Sequence, residues 1–125
     1  MPRAPEYAGL KFTIQAMELA DGSSPVGEFL DGLDARDRRK LDVLFEMLGE
    51  LGRISNDTKF KKLSDREEIW EFKSFQVRIY CFFTPDRHVM LAHAVIKKQD
   101  RHNRADLEKA EERRRWFFDQ KGWKR

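Results

Sequence analysis

Apolar and polar residues alternate between residues 75 and 84, the clearest periodic stretch of the chain. The apolar positions are Phe75, Val77, Ile79, Cys81 and Phe83. Successive side chains of a strand point to opposite faces of a sheet, so this alternation predicts a strand with one buried face. The other face carries Arg78 and Tyr80, and we expect it to be exposed.

Two further strands flank this one, and a fourth precedes them in the chain. The segment from Glu67 to Lys98 reads as three successive strands, and Thr84-Pro85-Asp86 favours a tight turn before the last of them, Val89 to Ile96. Residues 11–18 alternate weakly and predict a first strand. Residues 1–9 hold two prolines and little pattern, which is typical of a loose terminus.

Helical spacing of apolar residues predicts three helices. Ser24 followed by Pro25 indicates the start of the first, and Asp34 is the expected cap of the second. Gly49 and Gly52 are expected to end the second helix. A third helix is expected after a cap at Asn103. The predicted core positions of the first two helices are Val26, Phe29, Leu30, Leu33, Leu41, Leu44, Phe45, Leu48 and Leu51.

The order of these elements predicts an α+β fold. We expect a small antiparallel sheet of four strands with a mixed edge. Two N-terminal helices would cover one face, and a C-terminal helix would complete the fold. The 125 residues and a hydrophobic content of 40% suit one domain spanning residues 1–125.

Several classes of protein are disfavoured by the sequence. No apolar run approaches the roughly 20 residues of a membrane span, and the N-terminal residues lack the apolar core of a signal peptide, so we expect a cytoplasmic protein. Cys81 is the single cysteine, and its position predicts a buried thiol. The histidines, His88, His93 and His102, are scattered, and neither a metal site nor a cofactor site is predicted.

Charge is divided unevenly along the chain. Residues 1–58 carry 7 Lys and Arg against 11 Asp and Glu, a net charge of −4, whereas residues 59–125 carry 18 against 11, a net charge of +7. A basic half on a nearly neutral chain favours a phosphate-rich partner. A solvated cationic surface without a partner is the alternative.

The strand cations and Tyr80 suit RNA cleavage without a metal ion. In that reaction the 2′-hydroxyl attacks the adjacent phosphate, cations stabilise the charge that develops, and an acid protonates the leaving oxygen. The candidate catalytic residues are Lys73, Arg78, Tyr80 and Lys97. The candidate RNA-binding residues are Lys59, Lys61, Lys62, Arg66, Lys98 and His102.

Two other strand residues have alternative interpretations. Glu71 either pairs with Lys73 or Arg78 or acts as a base, and a carboxylate beside strand cations usually pairs. His93 lies among small apolar residues, which is typical of a core or strand histidine.

The segment from Lys62 to Lys98 resembles the phage-derived, HigB-like branch of the RelE superfamily of toxins. The similarity lies in the order of short motifs: KKL, IWEFK, VRIYCFF and LAHAVIKK, followed by a helix with Ala110 and Arg113. Two features depart from that branch: a lysine at Lys73 in place of arginine, and no Thr-Pro pair in the loop after Lys98.

The resemblance implies the toxin of a type II toxin–antitoxin pair. Such toxins are metal-free endoribonucleases that cut mRNA, usually on the ribosome, and a co-encoded antitoxin, here expected to be of helix-turn-helix type, silences them. Two alternatives are a non-catalytic module of the same fold that binds RNA or protein, and a phage-derived protein without remaining activity.

Overall fold

The computed structural model describes residues 2–64, 67–97 and 104–125. Six strands and three helices follow one another in the described chain. The strands are β1 (Tyr7–Ala8), β2 (Thr13–Ala16), β3 (Phe60–Ser64), β4 (Ile69–Ser74), β5 (Val77–Phe83) and β6 (His88–Ile96). The helices are α1 (Pro25–Asp31), α2 (Ala35–Leu51) and α3 (Arg104–Lys121). None of these helices combines the length and apolar composition that a membrane span requires.

The strands form one mixed sheet in the order β1-β2-β6-β5-β4-β3. All neighbours are antiparallel except β2 and β6, which are parallel. The predicted four-stranded sheet is therefore wrong, although the α+β class is correct. Two strands were missed: β1 lies in the supposed loose terminus, and β3 is the basic segment KFKKL, in which Lys61 and Lys62 obscure the pattern.

One face of the sheet packs against α1 and α2. The buried positions Val26, Leu30, Leu41, Phe45 and Leu48 meet Val77, Ile79 and Cys81 in this core. The caps are as predicted, because Ser24 and Asp34 accept hydrogen bonds from the N–H groups of Gly27 and Asp37. Two expectations were wrong: Leu51 is 65% exposed, and Gly49 lies inside α2, which ends at the left-handed Gly52.

The opposite face is covered by α3, so the expectation of an exposed face was wrong. Tyr80, Phe82 and Met90 pack there against Ala110 and Phe118. Two of the four buried residues of α3 are charged, Glu111 and Arg114, and Arg114 forms an ion pair with Glu67 at 3.4 Å. An ion pair thus takes the place of part of the apolar stripe that a covering helix usually shows. Phe75, also expected on the buried face, is 58% exposed in a turn.

The N-terminal strand is held on α2 by a close contact between two glycines. A Cβ atom on Gly9 would lie 2.4 Å from the carbonyl carbon and oxygen of Gly49. That carbonyl also accepts hydrogen bonds from the N–H groups of Lys11 and Phe12, at 2.8 and 3.0 Å. The backbone contact therefore leaves no room for a side chain.

We expect Gly9→Ala to lower the free energy of unfolding by about 1–3 kcal/mol, because overpacking forces the backbones apart. Gly32→Ala is the matched control, since its Cβ would meet its nearest atoms at 3.5 and 3.6 Å, ordinary contact distances. Urea unfolding of both variants measures the difference. Equal stability of the Gly9 variant and the wild type would contradict the close contact.

Candidate active site

A row of polar side chains crosses the sheet beneath α3. Glu71 of β4 lies opposite Tyr80 of β5, and Tyr80 lies opposite His93 of β6. The neighbouring row holds Lys73 opposite Arg78, as the predicted pairing of the strands requires. Residues directly opposite in an antiparallel pair share a face, so the topology alone brings these side chains together.

His93 forms the best-defined polar contact of this cluster. Its Nε2 lies 2.8 Å from Oδ1 of Asp106 in the first turn of α3. A carboxylate only accepts, so Nε2 carries the proton in the neutral ring and Nδ1 is left as an acceptor. Burial lowers the pKa of His93, and Asp106 opposes this shift. The imidazole is therefore neutral at pH 7 and able to take up a proton.

A β-bulge sets the direction of the His93 side chain. The pairing of β5 with β6 shifts between Tyr80 and Cys81, so that Cys81 faces Leu91, Tyr80 faces His93, and Ala92 is the extra residue. Nη1 of Arg113 donates to the carbonyl of Ala92 at 2.7 Å. Arg113 thereby binds the bulge that places His93 beside Tyr80.

Tyr80 lies next to both His93 and Lys97. Its ring stacks on His93 with centroids 5.8 Å apart and an angle of 21°, and Nζ of Lys97 lies 5.6 Å from the ring centroid. Tyr80 is fully buried, which, together with the carboxylates of Glu71 and Asp106, raises the pKa of its hydroxyl. The hydroxyl therefore keeps its proton, and the ring orients both neighbours.

Nζ of Lys97 is buried and has no hydrogen-bond partner among the described residues. A buried ammonium without a partner is costly, and in native structures such groups usually have a functional explanation. A phosphate oxygen would supply the partner. The main-chain N–H of Lys97 donates to the carbonyl of Gln76 at 2.7 Å, which fixes this residue at the end of the sheet.

Arg78 was predicted to project into solvent, but it is buried. It is 5% exposed, and its guanidinium donates to the carbonyls of Phe75 and Val77. Tyr80 also departs from the prediction, since it is fully buried and packs against Ala110 and Phe118 of α3. We call Glu71, Arg78 and Tyr80 the floor of the site. The partly exposed Lys73, His93, Lys97 and Asp106 are its rim.

The predicted RNA-binding residues are dispersed. Lys59, Lys61 and Lys62 are exposed at the β3 edge. In the register of β3 with β4, Lys61 lies opposite Glu71 and Lys62 lies opposite Trp70. The side chains of these two lysines therefore lie on opposite faces of the sheet. Lys62 also lies 3.9 Å from Glu68. Arg66, Lys98 and His102 lie outside the described residues, as does the expected cap Asn103.

Sequence reasoning missed part of the site. His93 was interpreted as a core or strand histidine, and Asp106 was not assigned to the site. The sequence contains one signal of this pairing: His93 lies within an apolar strand, and Asp106 follows 13 residues later in the first turn of a helix. No three His, Cys, Asp or Glu side chains of residues 2–64, 67–97 and 104–125 are grouped as a metal site would need.

Residues 28–115 match the family described as Phage derived protein Gp49-like (DUF891). The chain belongs to this Gp49-like family. It is a RelE-like toxin family of toxin–antitoxin systems, which confirms the relationship to RelE-like toxins that the motifs indicate. The Gp49-like match includes every residue of the rim and the floor and leaves out β1, β2 and the end of α3. No curated protein matches the chain.

Proposed function

We propose that this protein is a HigB-like toxin that cleaves mRNA on the ribosome without a metal ion. Its substrate is single-stranded mRNA, and a co-encoded antitoxin of helix-turn-helix type is its partner. The observation that carries the proposal is the rim, in which a neutral, carboxylate-bound histidine lies near an ammonium that lacks a hydrogen-bond partner among the described residues. Membership of the Gp49-like family supports it.

The rim residues account for each proton that moves and for the charge that develops during RNA cleavage. Nδ1 of His93 takes the proton of the 2′-hydroxyl, and the 2′-oxygen attacks phosphorus. Lys73 and Lys97 stabilise the negative charge on the phosphoryl oxygens as it develops. The bond from phosphorus to the 5′-oxygen breaks, and the leaving oxygen takes a proton from Lys97. The products are a 2′,3′-cyclic phosphate and a 5′-hydroxyl end.

The floor residues position the rim. Tyr80 orients His93 and Lys97 through its ring, and Arg78 holds the turn that leads into β5 through the carbonyls of Phe75 and Val77. This assigns Arg78 and Tyr80 a positioning role in place of the direct catalytic role predicted for them. Their burial is also the observation that favours the rival hypothesis, a non-catalytic module that binds RNA or protein.

The test is cleavage of a defined mRNA on programmed ribosomes, with and without EDTA and with free mRNA in parallel. We expect cleavage on the ribosome that EDTA leaves unchanged, because proton transfer and charge stabilisation come from side chains. Mapping of the 3′ ends should show cyclic phosphates. Binding of ribosomes without cleavage of any message would refute the enzyme and favour the binding module.

A further inference from the structure

Phe75 occupies a turn that does not suit a phenylalanine. It follows β4 and precedes β5, with φ of 54°, and it is 58% exposed. Positive φ is uncommon for residues other than glycine, asparagine and aspartate, and a bulky side chain there is strained. Because the ring is largely in solvent, core packing does not explain it.

A cation lies over the ring. Nζ of Lys40 on α2 is 4.3 Å from the ring centroid of Phe75. Arg36 and Arg39, on the same helix, are exposed. An aromatic ring bordered by cations is the arrangement with which proteins bind single-stranded nucleic acids, since the base stacks on the ring and the cations meet the phosphates.

The same turn is bonded directly to the proposed cleavage site. The Phe75 carbonyl accepts from the Arg78 guanidinium, and the neighbouring carbonyl of Gln76 accepts from the main chain of Lys97. The turn that carries the exposed ring therefore lies at the same end of the sheet as Lys97. Arg36 and Arg39 would continue the path of the RNA backbone along α2.

We propose that Phe75 and Lys40 form a nucleobase subsite, in which a base of single-stranded RNA stacks on the ring at the same end of the sheet as the cleavage site. This proposal rests on the proposed function for the identity of its ligand. The aromatic ring supplies stacking energy that does not depend on base identity, so the subsite positions RNA without selecting its sequence.

The test measures binding of a fluorescently labelled RNA oligonucleotide of about eight nucleotides, 2′-O-methylated so that it cannot be cleaved. Phe75→Gly removes the ring and suits the positive φ, so it separates binding from folding. We expect binding about tenfold weaker, in line with the loss of one stacked base, and a melting temperature equal to or above that of the wild type. Phe75→Trp should bind at least as tightly as the wild type.

Two further variants complete the experiment. Lys40→Ala is expected to weaken binding about threefold, because the base keeps the ring but loses the cation. Val43→Ala is the matched control, since Val43 is an exposed apolar residue one turn further along α2, and its removal should leave binding unchanged.

The outcomes separate this proposal from the proposed function. If the wild type binds the oligonucleotide through Phe75 but cleaves no message on the ribosome, the subsite stands and the cleavage proposal fails. If Phe75→Gly binds the oligonucleotide as the wild type does, the subsite is refuted and the cleavage proposal is unaffected. Absence of any binding of the oligonucleotide by the wild type refutes the subsite, whereas the cleavage proposal is decided by the assay on programmed ribosomes. Weaker binding of a partner protein alone would identify Phe75 as a protein contact and refute the subsite.

Discussion

Replacement of His93 by alanine is expected to lower the rate of RNA cleavage by about a hundredfold or more, the usual loss when a general base is removed. His88→Ala is the matched control, because His88 begins the same strand and also lies near a carboxylate, with Nδ1 3.2 Å from Oδ1 of Asp86. Single-turnover cleavage of a ribosome-bound message measures both rates. Equal losses of cleavage rate in the two variants would show that His93 is not the general base.

The pH dependence of cleavage provides a second measurement on the same residue. Burial holds the pKa of His93 below its ordinary value, so the rate should fall with decreasing pH only as the pH passes below the usual histidine range. Asp106→Asn removes the carboxylate that favours the charged imidazole. The acidic limb of the profile should therefore move to still lower pH, a shift that a purely structural role of Asp106 does not predict.

Replacement of Lys97 by methionine is expected to have opposite effects on activity and stability. Methionine keeps much of the length of the side chain but carries no charge, so cleavage should fall by about a hundredfold or more. The free energy of unfolding should rise by about 1–3 kcal/mol, because a buried ammonium without a hydrogen-bond partner among the described residues is removed. The hydrogen bond from the main chain of Lys97 to Gln76 is retained.

Lys124→Met is the control for this experiment, since Lys124 is an exposed cation beyond the end of α3. It should leave both the rate and the free energy of unfolding nearly unchanged. Guanidinium unfolding and single-turnover cleavage measure the two quantities. A Lys97 variant that is less stable than the wild type and fully active would show that the ammonium serves the fold and not the reaction.

Local signals in the sequence were sufficient for the first two helices. Ser24 and Asp34 cap them as predicted, and Gly52 ends α2 in the left-handed conformation. Caps and apolar periodicity act over a few residues, so one sequence contains the necessary information. Leu51 shows the limit of such reasoning, because it continues the stripe of α2 but is 65% exposed.

The packing of α3 over the second face of the sheet could not be predicted from periodicity. Helix α3 buries Glu111 and Arg114 together with Ala110 and Phe118, and the long-range pair of Arg114 with Glu67 makes that burial possible. An ion pair between residues far apart in the chain leaves no periodic trace. The expectation that the face carrying Tyr80 is exposed was wrong for this reason.

The chemical pairing of His93 was hidden by the bulge. Regular alternation from Leu91 would have placed His93 on the other face, beside the α1–α2 core. The extra residue, Ala92, reverses its direction, and its carbonyl is bonded by Arg113 from α3. A single extra residue in a strand pair is a tertiary feature that sequence periodicity does not show. By contrast, the position of Lys73 opposite Arg78 follows from the order of the strands alone.

The bulge also has a consequence for the motions of the molecule. It interrupts the hydrogen-bonded ladder, so that β5 and β6 pair in two blocks, one containing Leu91 and the other containing His93. A ladder divided in this way can open in one block while the other keeps its protection against amide exchange. We expect the block that contains His93 to exchange its amide hydrogens faster than the block that contains Leu91, so that the rim opens transiently while the hydrophobic centre stays closed.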